Sequence, residues 1–122
     1  MEIVRLTREY VRAAANVFVR SWRSAYKGIV PQDYLDKLTP EKWEERLIED
    51  ISGETTNFIV LDGTSCVGIS SAAASRDKGD DGCGEIIAIY LLPEYSGKGN
   101  GAALIKRDME YLESRGYNAA CL

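Results

Sequence analysis

The chain contains no histidine. A Ser-His-Asp triad, a Cys-His nucleophile pair and any His-ligated metal site are therefore excluded, and no metal is expected. Cysteine is scarce: Cys66, Cys83 and Cys121 lie far apart, with no C-x-x-C pair. A sparse, odd set fits free thiols in a reducing compartment better than a disulfide framework. Cys83 and Cys121 have no cationic neighbour in sequence, which argues for inert thiols. Basic charge is also short, since fifteen Lys and Arg face nineteen Asp and Glu for a formal charge of −4. A nucleic-acid backbone binder is disfavoured, because such affinity rests on basic surface. The acidity suits a cationic or amine substrate weakly, through encounter and not through chemistry. No apolar run approaches the roughly 18 residues of a membrane span. The opening MEIVRLTREY lacks the apolar core of a signal peptide. No membrane partner and a cytoplasmic location are the expectation.

What remains is an ordinary globular balance, 45% hydrophobic and 28% charged over 122 residues, enough for a single domain, 1–122. Residues 2–6 alternate as a short strand, and Thr7 is placed to cap the segment after it. Residues 8–27 carry Tyr10, Val11, Ala14, Val17, Phe18, Trp22 and Tyr26 at helical spacing, and Gly28 marks the stop. Residues 28–38 read as irregular or as one short helical turn. Thr39-Pro40-Glu41 predicts a cap with Pro at the first helical position, opening a helix through Trp43, Leu47, Ile48 and Ile51 that ends at Gly53. Residues 57–61 read as a strand, Asp62-Gly63 as a two-residue hairpin turn, and 66–75 as the return strand. An acidic loop at 77–84 precedes EIIAIYLL, residues 85–92, whose continuous apolar run predicts a central strand buried on both faces. A Gly-rich turn leads into a helix over 102–115 with Leu104, Ile105, Met109 and Leu112 inward. Gly116 caps it, and 117–122 begins another strand. The order is β-α-α-β-β-β-α-β, a mixed α/β layer fold.

The informative stretch is IYLLPEYSGKGNGA, between the apolar strand and the helix. Gly97, Gly99 and Gly101 strip Cβ atoms from one face of a turn, so backbone N–H groups there can converge on an anion. The helix after the turn adds its unpaired amides and positive dipole end, and Lys98 and Lys106 stand ready to meet a phosphate edge. A plain tight turn whose glycines only satisfy positive φ is the competing reading. A Walker loop fits less well because Gly97-Lys98 is followed by Gly99, and a dinucleotide fingerprint fits less well because GKGNG lacks its spacing.

At these residues the sequence resembles the GCN5-related N-acetyltransferase (GNAT) family, whose acetyl-coenzyme A motif reads Q/R-x-x-G-x-G/A after a buried strand and before a helix. Ser96-Gly97-Lys98-Gly99-Asn100-Gly101 fills that window, with Ser96 where the family usually has Gln or Arg. The element order upstream agrees, so the resemblance covers nearly the whole chain. It implies a GNAT-like acyl-CoA N-acyltransferase fold and transfer of an acetyl group from acetyl-CoA to a primary amine of a small molecule or peptide by direct attack. Backbone groups of Ile89, Tyr90 and Leu91 would pair with the pantetheine arm like an added strand. The amides of Gly97, Lys98, Gly99, Asn100, Gly101 and Ala102 would hold the pyrophosphate. The Ile89 amide would polarise the thioester carbonyl.

Histone-type members place a catalytic glutamate eleven residues before the motif, and here that residue is Glu85. On a regular strand it shares a face with Ile87, Ile89 and Leu91. A carboxylate among such neighbours has its pKa raised toward that of a general base. The alternative is a solvated residue at the strand's start. Trp22 and Tyr26 lie on the expected acceptor side, though their spacing also fits core packing. Asp77, Asp80 and Asp81 would either attract a cationic amine or simply be solvated. The resemblance further implies a missing last helix and strand pair, which in the family supply half of the cleft and a Tyr acid. That shortness leaves an open sheet edge suited to a homodimer. It also keeps open a catalytically incompetent CoA-binding or structural remnant, or a site completed by another chain.

Overall fold

The computed structural model describes residues 1–74, 83–117 and 119–121. Strand β1 (Glu2–Arg5) leads through a short 3-10 turn (Arg8–Tyr10) into α1 (Val11–Ala25), followed by α2 (Gln32–Asp36) and α3 (Glu41–Ser52). Strands β2 (Thr56–Asp62), β3 (Ser65–Ala74) and β4 (Cys83–Leu91) come next. A second 3-10 turn (Pro93–Tyr95), α4 (Asn100–Ser114) and β5 (Ala119–Cys121) complete the described chain. The sheet order is β1-β2-β3-β4-β5. The first three pairings are antiparallel, and β5 lies parallel to β4 across the α4 crossover. This is the mixed α/β architecture that the pattern predicts, with α2 as the short helical turn in 28–38. No helix among the described residues is long and apolar enough to cross a membrane.

Two layers of helix sandwich the sheet. α1 buries Val11, Ala14, Ala15, Val17 and Phe18, and α3 adds Leu47. These close over one sheet face, from which Ile59 and Ile69 project with no exposed surface. α4 covers the other face, with Leu104 in one cluster with Phe58 and Val60 and Leu112 in another with Ala72 and Ile86. Each of the larger fully buried side chains is worth about 1.5–3 kcal/mol relative to exposure.

Local details differ from the sequence pattern in instructive ways. The hairpin turn is Gly63-Thr64, because Asp62 still pairs with Ser65, and Gly63 takes φ +63°. Thr7 and Pro40 stand at the cap positions of their helices without a side-chain cap hydrogen bond, and α3 opens at Glu41 rather than at Pro40. On α4, Met109 is 50% exposed and the buried position is Asp108, because Leu104, Asp108 and Leu112 recur every four residues. Strand β4 is not buried on both faces: Ile86 is buried, but residues 87–91 are only half-buried. One face opens toward a cavity, and β5 pairs only with residues 83–85, so the outer edge of 86–91 meets no strand among the described residues.

A bulge decides which way β4 faces. Ser71 pairs with Ala88 while Ala72 pairs with Ile86, leaving Ile87 as an extra residue in β4. Directly opposed residues share a face. Glu85, opposite Ala73, therefore projects with Ala88 and Tyr90 from the α1/α3 side. Ile89 and Leu91 project toward α4. The expected common face of Glu85 with Ile89 and Leu91 is thus overturned, since one inserted residue reverses the alternation.

Candidate functional site

The β4–α4 junction is built to leave main-chain donors unused. Gly97 and Gly99 adopt φ +76° and +84°, left-handed conformations that a side chain disfavours. Gly99 is the N-cap of α4, with no side chain bonded over the helix end. Ser96 N–H donates to Pro93 O (3.2 Å), and the next amide with a backbone acceptor is that of Ala103, bonded to Gly99 O (3.0 Å). No amide of residues 97–102 donates to a backbone acceptor among the described residues. Such a row of N–H groups, at the positive end of a four-turn helix, favours an anion.

The loop is held from three directions. Arg20 of α1 grips both carboxylate oxygens of Glu94 at 3.2 and 3.0 Å. Glu94 lies below the usual carboxylate range, through a hydrogen bond from its own backbone amide and then through Arg20. The Tyr95 hydroxyl donates to Asp62 at the end of β2 (2.6 Å), and that bond raises its pKa and keeps it neutral. Asn100 Nδ2 donates to Tyr95 O at 3.3 Å. Lys98 stands 5.9 Å from the Tyr95 ring centre, within cation–π range. Lys106 is exposed on α4, roughly two turns along the helix from the loop.

The edge of β4 continues this site. Leu92 N–H donates to Val67 O of β3 (3.0 Å). Because successive amides alternate in direction, Tyr90 points toward β3 whereas Ile89 and Leu91 point to the opposite, strand-free edge. The Leu91 carbonyl on that edge accepts from Ser21 Oγ at 3.3 Å.

On the other face lies a cavity of about 610 Å³, within the usual range for small-molecule sites. Its walls are aromatic: Phe18 and Trp22 from α1, Trp43 from α3 and Tyr90 from β4. Phe18 packs against Tyr90 at 4.8 Å and Trp22 against Trp43 at 6.4 Å between ring centres. Trp22 therefore belongs to the cavity wall; Tyr26 packs against it with tilted rings, 4.7 Å between centres, and lies outside the lining. A polar chain forms one end. Ser71 Oγ donates to Asn57 Oδ1, and Asn57 Nδ2 donates to Asp50 Oδ2 at 3.0 Å. Asn57 and Ser71 are both buried, so the chain is fixed in place. Glu85 projects from this same sheet face, one cross-strand pair beyond Ser71 and Ala88.

Sequence patterns point to the loop, Glu85 and Trp22 but miss most of the cavity, whose lining comes from five elements and their connections. One signal was available: Lys42, Arg46 and Asp50 recur every four residues and mark one face of α3. Asp77, Asp80 and Asp81 lie outside the described residues. Among the described residues no cluster of three His, Cys, Asp or Glu is arranged to hold a metal ion.

A five-stranded mixed sheet with a glycine-rich loop of unpaired amides after its fourth strand, and a cavity across that strand, defines an acyl-CoA N-acyltransferase-like fold. The chain matches the Acetyltransferase (GNAT) family over residues 16–121 and belongs to it. It is 33% identical over 116 residues to an uncharacterized N-acetyltransferase, YuaI, of Bacillus subtilis, covering 91% of this chain. The chain spans 64% of that relative's length. It is 25% identical over 122 residues to a spermidine N(1)-acetyltransferase of Thermoplasma acidophilum, covering 95% of this chain and 73% of the relative. In fold it is similar to the PaiA N-acetyltransferase of Thermoplasma acidophilum in complex with coenzyme A. That likeness has a TM-score of 0.80 at 22% identity and covers 95% of this chain and 74% of the other.

Proposed function

We propose that this chain is an N-acetyltransferase that takes acetyl-CoA as co-substrate and passes the acetyl group directly to a primary amine. The observation that carries the reading is the row of amides at residues 97–102 with no backbone acceptor among the described residues, opening α4 beside a strand edge. Those amides fit a diphosphate, and the glycines allow it to approach the main chain. Ser96 replaces the family's usual Gln or Arg, so main-chain contacts carry that end of the site. Ile89, Tyr90 and Leu91 line the path of the pantetheine arm, with the outward groups of Ile89 and Leu91 as its partners. The coenzyme A relatives lend support, since the first of the similar structures holds coenzyme A.

The amine would enter from the aromatic cavity on the other face. The Ile89 amide would donate to the thioester oxygen as negative charge develops there, a contact worth on the order of 3 kcal/mol in comparable acyl transfer. Glu85, on the cavity face, would take the ammonium proton before attack. The acetyl–sulfur bond breaks as the carbon–nitrogen bond forms; Glu85 holds the first ammonium proton, and the proton that the nitrogen sheds on attack goes to the departing thiolate, so coenzyme A leaves as the free thiol.

The test is thiol release from acetyl-CoA with a panel of primary amines, run beside calorimetric binding of coenzyme A. Turnover with binding is expected. Binding without turnover would leave a coenzyme-holding protein whose second cleft wall is supplied elsewhere. That rival draws on the strand-free edge of β4 beyond Glu85. Absence of both would remove the proposal.

A further inference from the structure

The acceptor cavity has a charge polarity that aromatic lining alone does not require. Lys37, Lys42 and Arg46 line it from α3 and from the segment before it, and all three are exposed. The ion pairs formed among the described residues join Arg12 to Glu41 and Glu44, Arg20 to Glu94, and Arg107 to Glu110. None engages the three cavity cations. The acidic lining residue, Asp50, stands one turn beyond Arg46 on the same face of α3, about 12 Å along the helix from Lys42 at ~1.5 Å per residue.

Asp50 is held at the sheet by Asn57, next to Ser71 and hence on the side toward Glu85. The cavity is therefore positive toward the start of α3 and negative toward its end. The α3 macrodipole runs in the same sense, with its positive end beside Lys42 and its negative end beyond Asp50.

We propose that the acceptor is a small amine that also carries an anionic group, a carboxylate or a phosphate. Its ammonium lies toward Asp50 and Glu85, and its anion lies among Lys37, Lys42 and Arg46. Aromatic faces between the two ends cover the carbon chain and attract the ammonium. A polyamine fits this polarity poorly, because its second ammonium would meet three cations without a counter-charge. The inference rests on the acetyl-transfer reading only for which end of the acceptor reacts; the polarity is a binding property.

Three probes of one chain length isolate the far group: 6-aminohexanoate, hexylamine and 1,6-diaminohexane, with 6-aminohexyl phosphate as a fourth. Binding is read from the fluorescence of Trp22 and Trp43, which line the cavity, and kcat/KM from thiol release. Either anionic amine is expected to bind roughly tenfold or more tightly than the diamine. The better of the two identifies the anion. The double variant Lys42→Glu/Arg46→Glu, at two exposed positions, is expected to reverse the order of 6-aminohexanoate and diamine. Equal or tighter binding of the diamine by the unaltered protein would overturn the proposal, as would an unchanged order in the charge-reversed variant. Preferential anion binding without thiol release would uphold the polarity while removing the acetyl-transfer reading, so the two failures are distinct.

Discussion

Glu85 and Tyr90 project from the same face of β4 although five residues separate them. On an uninterrupted strand an odd separation puts two side chains on opposite faces. The extra residue, Ile87, restores the match and puts Glu85 on the sheet face where the cavity lined by Tyr90 opens.

If Glu85 takes the ammonium proton, Glu85→Gln lowers kcat/KM by about 10²–10⁴-fold, the usual contribution of a general base. The loss is greatest at low and neutral pH, because hydroxide replaces the missing base as pH rises. A pH–rate profile with unaltered shape would reject the role.

The glycines of the anion loop give a second expectation. A Cβ at Gly97 or Gly99 meets nothing within 4 Å, but both residues sit at positive φ. Gly99→Ala should therefore cost about 1 kcal/mol of stability through backbone strain alone. It should also weaken coenzyme A binding by turning the amides at the start of α4. Calorimetry of coenzyme A on the folded variant checks this, and unchanged affinity would detach the loop from coenzyme binding.

Asp108 is fully buried on α4 beneath the sheet. Ser70 Oγ donates to its Oδ1 at 2.9 Å, while Oδ2 has no partner among the described residues. Burial pushes its pKa up to about 6, against an opposing effect of the Ser70 bond. The folded state thus holds the proton more tightly than the unfolded chain, whose reference value is 3.8. This group's contribution to stability is greatest below about pH 4 and is lost as pH rises through about 6, by at most about 3 kcal/mol. Asp108→Asn should remove this component from denaturant midpoints measured between pH 4.5 and 8, whatever its effect on absolute stability. A slope identical to that of the parent would refute the assignment.

Cys66 is buried at the start of β3, its thiol 3.5 Å from Gly68 O, and desolvation raises its pKa to about 11. In a Cys83→Ser/Cys121→Ser background it should react with a disulfide reagent at pH 8 more than about 100-fold slower than free cysteine. Reaction at the free rate would mean that the β2–β3 hairpin opens readily.

The β-α-α-β-β-β-α-β order was legible because each element carries its own period, cap or turn residue: the α1 stripe from Val11 to Phe18, the Gly53 stop, the Gly63 turn. The anion loop was legible for a similar reason. Gly97, Gly99 and Gly101 are close in sequence, and a helix N-terminus is a local object. Asp108 was not legible, because a hydrophobicity pattern assigns the inward position to Met109. Helical phase and the reach of Ser70 across the sheet decide otherwise.

The sequence by itself determined which backbone can hold an anion, since that depends on φ at neighbouring glycines and on amides left without partners at the start of one helix. It also left these 122 residues with no histidine to contribute. The tertiary structure decided where side chains meet. One unpaired residue in β4 sets the direction of Glu85, and packing of α1 and α3 on the sheet gathers Phe18, Trp43, Asp50, Ser71 and Tyr90 around one cavity. These choices belong to strand register and helix packing, which join residues distant in sequence and leave no period within any one segment.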